Sequence, residues 1–172
     1  METKLTDFNS QLKFGKEFED DFAKLLISCG WFVTPKYLFA SEGAPLLLGS
    51  KNSYPIPDID SAKEGVRLWF EVKRKKRMFK HPATGFTDRL WESYYNVQKI
   101  TGDKLILVFK DETDPAPIFY GGYFDKLRIY SSSFPIYNFY RGQQEPHVLY
   151  DYPGNFVHFE MNEEGIKKLI NS

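Results

Sequence analysis

The chain has 172 residues, of which 42% are hydrophobic and 27% charged, a balance that suits one globular domain with a sizeable core. Its 23 basic and 23 acidic residues cancel, so no global positive field marks a nucleic-acid partner, which would have to bind a local patch. The single cysteine, Cys29, excludes an internal disulfide. No apolar run is long enough to span a membrane, and the first residues lack the apolar core of a signal peptide. We therefore expect a soluble, intracellular (cytoplasmic) protein with no membrane partner.

The N-terminal part is predicted to be helical. Apolar residues recur at steps of three or four from Phe14 to Cys29, and Gly30 follows as a helix end. Residues 31–35 indicate a short strand. Residues 41–55 are rich in Gly, Ser and Pro, and we interpret them as a long loop.

A β-hairpin is predicted over residues 56–73, with its turn near Glu64 and Gly65. If these two residues form the whole turn, Asp58 lies opposite Glu71; a three-residue loop would shift the pairing by one position. Apolar and polar residues alternate along the second arm, which is typical of a strand. The polar side of this arm carries Arg67, Trp69, Glu71 and Lys73.

A second helix is predicted between Thr87, a suitable N-cap, and Gly102. The apolar run at 104–110 indicates a strand that is buried on both faces. The aromatic-rich segments that follow favour short antiparallel strands. Asn162 is positioned to cap a last helix that ends near Ile170.

The hairpin gathers carboxylates beside an ammonium group at one strand end. Glu71 and Lys73 share a face of one arm, while Asp58 and Asp60 share a face of the other. Carboxylate oxygens suit Mg²⁺ or Mn²⁺, and a nearby lysine can hold a metal-activated water. These groups together suit hydrolysis of a phosphodiester. The alternative is a surface hairpin with scattered charges, because Glu-x-Lys on its own is frequent by chance.

The order of these residues is more specific than any one of them. Pro57-Asp58, a turn, an alternating strand and then Glu71-Val72-Lys73 resemble the motif of the PD-(D/E)xK nuclease superfamily.

The resemblance continues on both sides of the hairpin. The helix with Gly15 and Glu19, followed by a strand, is similar to the first helix of Holliday-junction-resolvase-like members. The helix with Gln98 is similar to the one that follows the lysine strand in that family. The similarity covers roughly residues 14–110, and residues 111–172 carry no motif that we can assign.

The resemblance implies a role for each matching residue. Asp58 and Glu71 would ligate Mg²⁺ (or Mn²⁺), with the Val72 backbone carbonyl as a further ligand. Lys73 would position the nucleophilic water. Glu19 would reach the metal or its water shell from the first helix.

Gln98, by the same resemblance, would contact water, Lys73 or the phosphate backbone. Two assignments stay open. Asp60 could replace or assist Asp58, because alternation puts both on one face. Three other acids of the first helix are rivals of Glu19: Glu17, Asp20 and Asp21.

A basic run continues from the catalytic motif. Beside such a site we interpret the run as a contact for the phosphate backbone of nucleic acid. The alternative is a solvated connection or a nuclear-import-like run. The residues concerned are Arg74, Lys75, Lys76, Arg77 and Lys80.

We therefore expect a single α/β domain over residues 1–172 with a restriction-endonuclease-like, three-layer core: a central mixed β-sheet flanked by helices, plus an antiparallel β extension over 111–172. The expected function is metal-dependent hydrolysis of phosphodiester bonds in nucleic acid, as a DNA endonuclease. A structure-specific Holliday-junction resolvase, usually a homodimer, is the alternative enzyme. A catalytically silent nucleic-acid-binding module and a metal-free structural domain are the alternatives from other classes.

Overall fold

A computed structural model of the chain describes residues 3–35, 45–75, 83–113, 116–127, 136–140, 143–151 and 156–172. None of the helices in these ranges is both long and apolar enough to cross a lipid bilayer. The elements, in chain order, are α1 (Thr3–Ser28), β1 (Phe32–Pro35), β2 (Leu46–Leu48), β3 (Ser53–Pro55), β4 (Ile59–Lys63), β5 (Val66–Lys75), β6 (Ala83–Thr87), α2 (Asp88–Thr101), β7 (Lys104–Asp111), β8 (Ile118–Tyr123), β9 (Ile136–Tyr140), β10 (Gln143–Asp151), β11 (Val157–Phe159) and α3 (Glu163–Ile170).

A mixed sheet of six strands, in the order β1-β4-β5-β7-β8-β11, forms the centre of the fold. Strands β5 and β7 are parallel, whereas the other neighbouring pairs are antiparallel. The antiparallel strands β6, β10 and β9 form a separate sheet, and β2 pairs with β3. The expected mixed central sheet is therefore confirmed. The extension expected over 111–172 is arranged differently, because β8 and β11 belong to the central sheet and β6, from before residue 111, pairs with β10.

Two apolar layers cover the two faces of the central sheet. Alternation along β5 sends Phe70 and Val72 to the layer beneath α1 and α3, and Trp69 to the layer beneath α2. Strand β7 contributes to both layers, and its residues 105–109 are all buried. The prediction of a strand buried on both faces is confirmed, and the core has the three-layer arrangement of helix, sheet and helix.

The turn between β4 and β5 has two residues. Glu64 and Gly65 both have positive φ, 52° and 81°, and Lys63 pairs directly with Val66. Two such residues form the tight turn whose twist matches that of a β-hairpin. Of the two registers considered above, the structure has the one that brings Asp58 level with Glu71.

The structure differs from the sequence prediction at the start of the first helix and within the predicted long loop. Helix α1 begins at Thr3, well before Phe14, and the spacing of Leu5, Phe8 and Leu12 continues the helical period over that segment. Within the predicted long loop, 46–55 forms the short hairpin β2–β3. Its Gly, Ser and Asn residues are turn residues, which the composition did not distinguish from a longer loop.

Both later helices begin and end near the predicted residues, but only one of the two predicted N-caps forms its hydrogen bond. Helix α2 begins after Thr87, although the Thr87 side chain makes no capping hydrogen bond, and Gly102 ends it with a left-handed φ of 75°. Helix α3 is capped as predicted, because the Asn162 side chain accepts a hydrogen bond from the Gly165 N–H at 2.9 Å.

Candidate active site

The site lies where β4 and β5 separate. Pairing between the two strands stops at Ile59 and Phe70, so the Val72 N–H lies beyond the ladder. The Asp58 carboxylate accepts a hydrogen bond from this N–H at 2.9 Å. The N–H and carbonyl of one strand residue point to the same side, so the Val72 carbonyl faces the same edge of β5. The sheet therefore opens at one point and presents a carboxylate and a backbone carbonyl there.

Lys73 joins the two carboxylates of the motif. Its Nζ lies 3.1 Å from Asp58 Oδ2 and also contacts Glu71 Oε1. The Glu71 side chain is 1% exposed, whereas those of Asp58 and Lys73 are 22% and 29% exposed. Glu71 therefore lies at the base of the site, and Asp58 and Lys73 lie nearer to solvent.

Glu19 is brought to this group from α1. Burial, and next the charge of Asp58, raise the pKa of Glu19 from 4.5 to about 7, while the charge of Lys73 lowers it. Of its rivals, Glu17 and Asp21 are exposed to solvent, and Asp20 raises the pKa of Glu19 as a neighbouring negative charge.

The ionisation of Glu71 and Lys73 reflects burial together with the charges around them. Burial, and next the charge of Asp58, raise the pKa of Glu71 from 4.5 to about 7. Burial lowers the pKa of Lys73, but the charges of Asp58 and Glu71 outweigh this effect and hold the pKa well above its usual value. Lys73 is therefore a permanent cation at neutral pH.

Tyr94 on α2 is a site residue that the sequence analysis missed. Its hydroxyl hydrogen-bonds to Glu71 and lowers the pKa of that carboxyl. Burial, and next the charge of Glu71, raise the pKa of Tyr94 well above 10. Its position in an apolar helical stripe indicated packing alone. The available signal was its place one helical turn before Gln98, on the helix that was expected to face the site.

Gln98 has a contact of a different kind. Its Oε1 accepts a hydrogen bond from the Leu105 N–H at 3.1 Å. Leu105 pairs with Trp69, whereas Lys73 pairs with Phe109 further along β7. This bond ties the end of α2 to the start of β7, and the structure does not place Gln98 with the carboxylates.

Asp60, the alternative to Asp58, is held by another partner. The Arg67 guanidinium donates to both of its carboxylate oxygens, at 2.9 and 2.8 Å, and also lies 3.4 Å from Asp103. Arg67 stacks over the Trp69 ring at 4.9 Å. The structure thus brings Asp58, and not Asp60, to Lys73 and Glu71.

The first two residues of the basic run are engaged within the fold. Arg74 forms an ion pair with Glu112. Lys75 donates a hydrogen bond to the carbonyl of Gly85, and burial lowers its pKa to about 8. The remaining members of the run, Lys76, Arg77 and Lys80, lie outside the described residues.

The donors of the site fit a hard divalent cation. In the described part of the chain, no three His, Cys, Asp or Glu side chains form a ready-made metal site. The ammonium of Lys73 instead bridges Asp58 and Glu71, where a cation would compete with it. Burial, and next the charge of Asp58, raise the pKa values of Glu71 and Glu19, and a bound cation would oppose both effects by favouring the ionised carboxylates. Oxygen donors of this kind suit Mg²⁺ or Mn²⁺.

The architecture is that of the restriction-endonuclease-like fold. A solved structure with the same fold is that of Hjc from Archaeoglobus fulgidus, described as a Holliday junction resolvase from an archaeal hyperthermophile. The match has a TM-score of 0.51 and 16% sequence identity, and it covers 80% of this chain and 88% of the resolvase chain. No protein-family model matches the sequence, and no curated protein matches it significantly. An identity this low shows a shared fold and nothing further.

Proposed function

We propose that the protein is a metal-dependent nuclease of the PD-(D/E)xK superfamily that hydrolyses phosphodiester bonds in DNA as an endonuclease. One observation carries the proposal: Asp58, Glu71 and Lys73 meet at a single opening of the central sheet. The order of these residues in the sequence and the fold shared with a junction resolvase support it.

Four groups would hold the Mg²⁺ or Mn²⁺ ion. They are the carboxylates of Asp58 and Glu71, the carbonyl of Val72 and, directly or through water, the carboxylate of Glu19. When bound, the ion lowers the pKa of water and offsets negative charge on the phosphate. Because the carboxylates of Asp58 and Glu71 also hold Lys73, ion binding and the position of the lysine are coupled.

Lys73 acts as a cation and not as a base. Its pKa lies well above the usual value, so Lys73 keeps its proton at neutral pH and has no free amine that could act as a base. It can donate hydrogen bonds to the attacking water and to a phosphate oxygen, which orients the water and stabilises developing negative charge. The Tyr94 hydroxyl holds Glu71 in place, and the Val72 N–H holds Asp58. Both carboxylates therefore keep their positions during the reaction.

A Holliday-junction resolvase is the second candidate, supported by the resemblance to Hjc. Both activities need the same hydrolytic site, and they differ in the DNA shape that is bound. A four-way junction cut much faster than a linear duplex of the same sequence would favour the resolvase. Equal rates would favour a general endonuclease.

Plasmid, linear duplex, single-stranded DNA, a four-way junction and RNA, each with Mg²⁺, Mn²⁺ or EDTA, test the proposal. We expect cleavage of at least one DNA substrate with metal and none with EDTA. Glu71→Ala and Lys73→Ala should lower the rate at least about a hundredfold, whereas Glu17→Ala, which alters an exposed acid of α1, should not. If the protein binds DNA but cuts nothing, the silent binding module replaces the nuclease. Equal cleavage by all variants would refute the site.

The rest of the basic run enters the proposal as a phosphate contact. Replacing Lys76 and Arg77 by alanine should weaken DNA binding equally across sequences. Each lost contact should also lower the slope of log affinity against log salt by about one. An unchanged slope would restore the interpretation of a solvated connection.

A further inference from the structure

Lys75 is the second lysine on the active-site face of β5. It follows Lys73 by two residues, so the two side chains leave the same face of the strand, roughly 7 Å apart along it. Arg74, between them, leaves the other face and pairs with Glu112. Lys75 thus belongs by position to the face that carries Glu71.

The ammonium of Lys75 is already used by the fold. It donates to the carbonyl of Gly85 in β6. Among the described strands, β6 is at the edge of its three-stranded sheet and has β10 as its one neighbour, with Gly85 opposite Leu149. A backbone carbonyl can accept two hydrogen bonds, so the Gly85 carbonyl can take the Lys75 ammonium as a partner from outside its own sheet. Within the described residues, this hydrogen bond links the active-site strand β5 to the β6-β10-β9 sheet.

A second effect acts on Lys73. The two ammonium groups repel each other, and Glu71 attracts both. Lys75 is held by Gly85, and Lys73 contacts Asp58 and Glu71. A cation fixed two residues along the strand favours this position of Lys73 beside the two carboxylates. A lysine in this role does not also contact a phosphate, because it would first have to give up its backbone partner and leave its half-buried position.

We propose that Lys75 is a positioning residue that anchors the β6-β10-β9 sheet beside the active site and orients Lys73, and that it does not contact DNA phosphate. Its catalytic part rests on the nuclease function proposed above, whereas the anchoring part does not. In this proposal the β6-β10-β9 sheet is held against β5, the strand that carries the site.

The Lys75→Gln variant separates the two roles, with Arg74→Gln as the control from the adjacent position. Loss of positioning should lower kcat about tenfold or more and leave KM and the salt slope of DNA binding unchanged. Loss of the anchor should make hydrogen exchange in residues 83–87 and 143–151 about tenfold faster, as expected for one lost charge-assisted hydrogen bond. Arg74→Gln should leave exchange in both segments unchanged.

Lysine labelling of the wild-type protein tests the same point without a variant. An amine-reactive reagent should modify Lys75 slowly with or without DNA, whereas Lys24, whose side chain is 77% exposed, should react quickly. Fast labelling of Lys75 that DNA blocks, or a salt slope lowered by about one in Lys75→Gln, would overturn the proposal in favour of a phosphate contact. If the wild-type protein cuts no substrate, the nuclease function fails. The exchange and labelling results then decide the anchor alone, and unchanged exchange in Lys75→Gln overturns it.

Discussion

The buried Glu71 carboxyl predicts an unusual pH dependence of stability. The relevant comparison is between the wild-type protein and Glu71→Gln, both in EDTA, because glutamine keeps the shape of the side chain but cannot ionise. Glu71 is 1% exposed, so the site, and not solvent, sets its protonation in the folded state.

The sign and size of the effect follow from the pKa. Glu71 has a pKa of about 7 in the folded protein, against an ordinary value of 4.5. The stability that its proton contributes is fully present below pH 4.5 and is lost as the pH rises through about 7. At about 1.4 kcal/mol per pKa unit, the loss is about 3 kcal/mol. The pKa of Glu19 is raised in the same way, so both proteins retain the loss of stability that comes from that residue.

Urea unfolding at pH 5 and pH 8 measures this difference. We expect the free energy of unfolding of the wild-type protein to fall by about 2.5 kcal/mol more than that of Glu71→Gln between these two pH values, because part of the contribution is already lost at pH 5. The control Glu17→Gln alters an exposed acid on the same helix as Glu19 and should follow the wild-type protein. If wild type and Glu71→Gln lose stability in parallel, the raised pKa of Glu71 and the crowding of charge around it are refuted.

Three further substitutions test parts of the structure. Tyr94→Phe removes a hydrogen bond that lowers the pKa of Glu71, so the stability loss should move to higher pH; an unmoved profile would contradict that contact. Asn162→Ala should lower the free energy of unfolding in urea by about 1 kcal/mol through loss of the α3 cap, and no change would mean that the cap is not formed. Gly121→Ala places a Cβ 2.5 Å from the Leu107 carbonyl oxygen and should destabilise by about 3 kcal/mol or more in the same assay, whereas a neutral effect would contradict the β7–β8 pairing.

The parts of the fold that could be predicted from the sequence are those set by local chemistry. The Glu64-Gly65 turn determined the register of the hairpin, and that register placed Asp58 level with Glu71. The alternation in β5 separated Phe70 and Val72, which lie beneath α1 and α3, from Glu71 and Lys73 on the opposite face, but it did not reveal that Trp69 on that face belongs to a second core layer. Asn162 was recognised as a cap because its hydrogen bond is made within one helical turn.

The parts that were missed depend on contacts between distant segments. Strand β6 pairs with β10, about sixty residues later, and nothing in its short, glycine-containing sequence indicates that partner. The hydrogen bond from Lys75 to Gly85 follows from that pairing and was hidden for the same reason. Tyr94 has an apolar ring and a polar hydroxyl, and its position in the stripe revealed only the ring.

The central claim is that Asp58, together with Glu71 and Lys73, forms the hydrolytic site. The most direct measurement is the single-turnover rate of plasmid cleavage in Mn²⁺ by Asp58→Asn and Asp60→Asn. The two aspartates are two residues apart, but Asp58 contacts Lys73 and Asp60 pairs with Arg67. We predict that Asp58→Asn lowers the rate at least about a hundredfold, whereas Asp60→Asn stays close to wild type. Equal rates for the two variants, or loss of cleavage only in Asp60→Asn, would contradict the account.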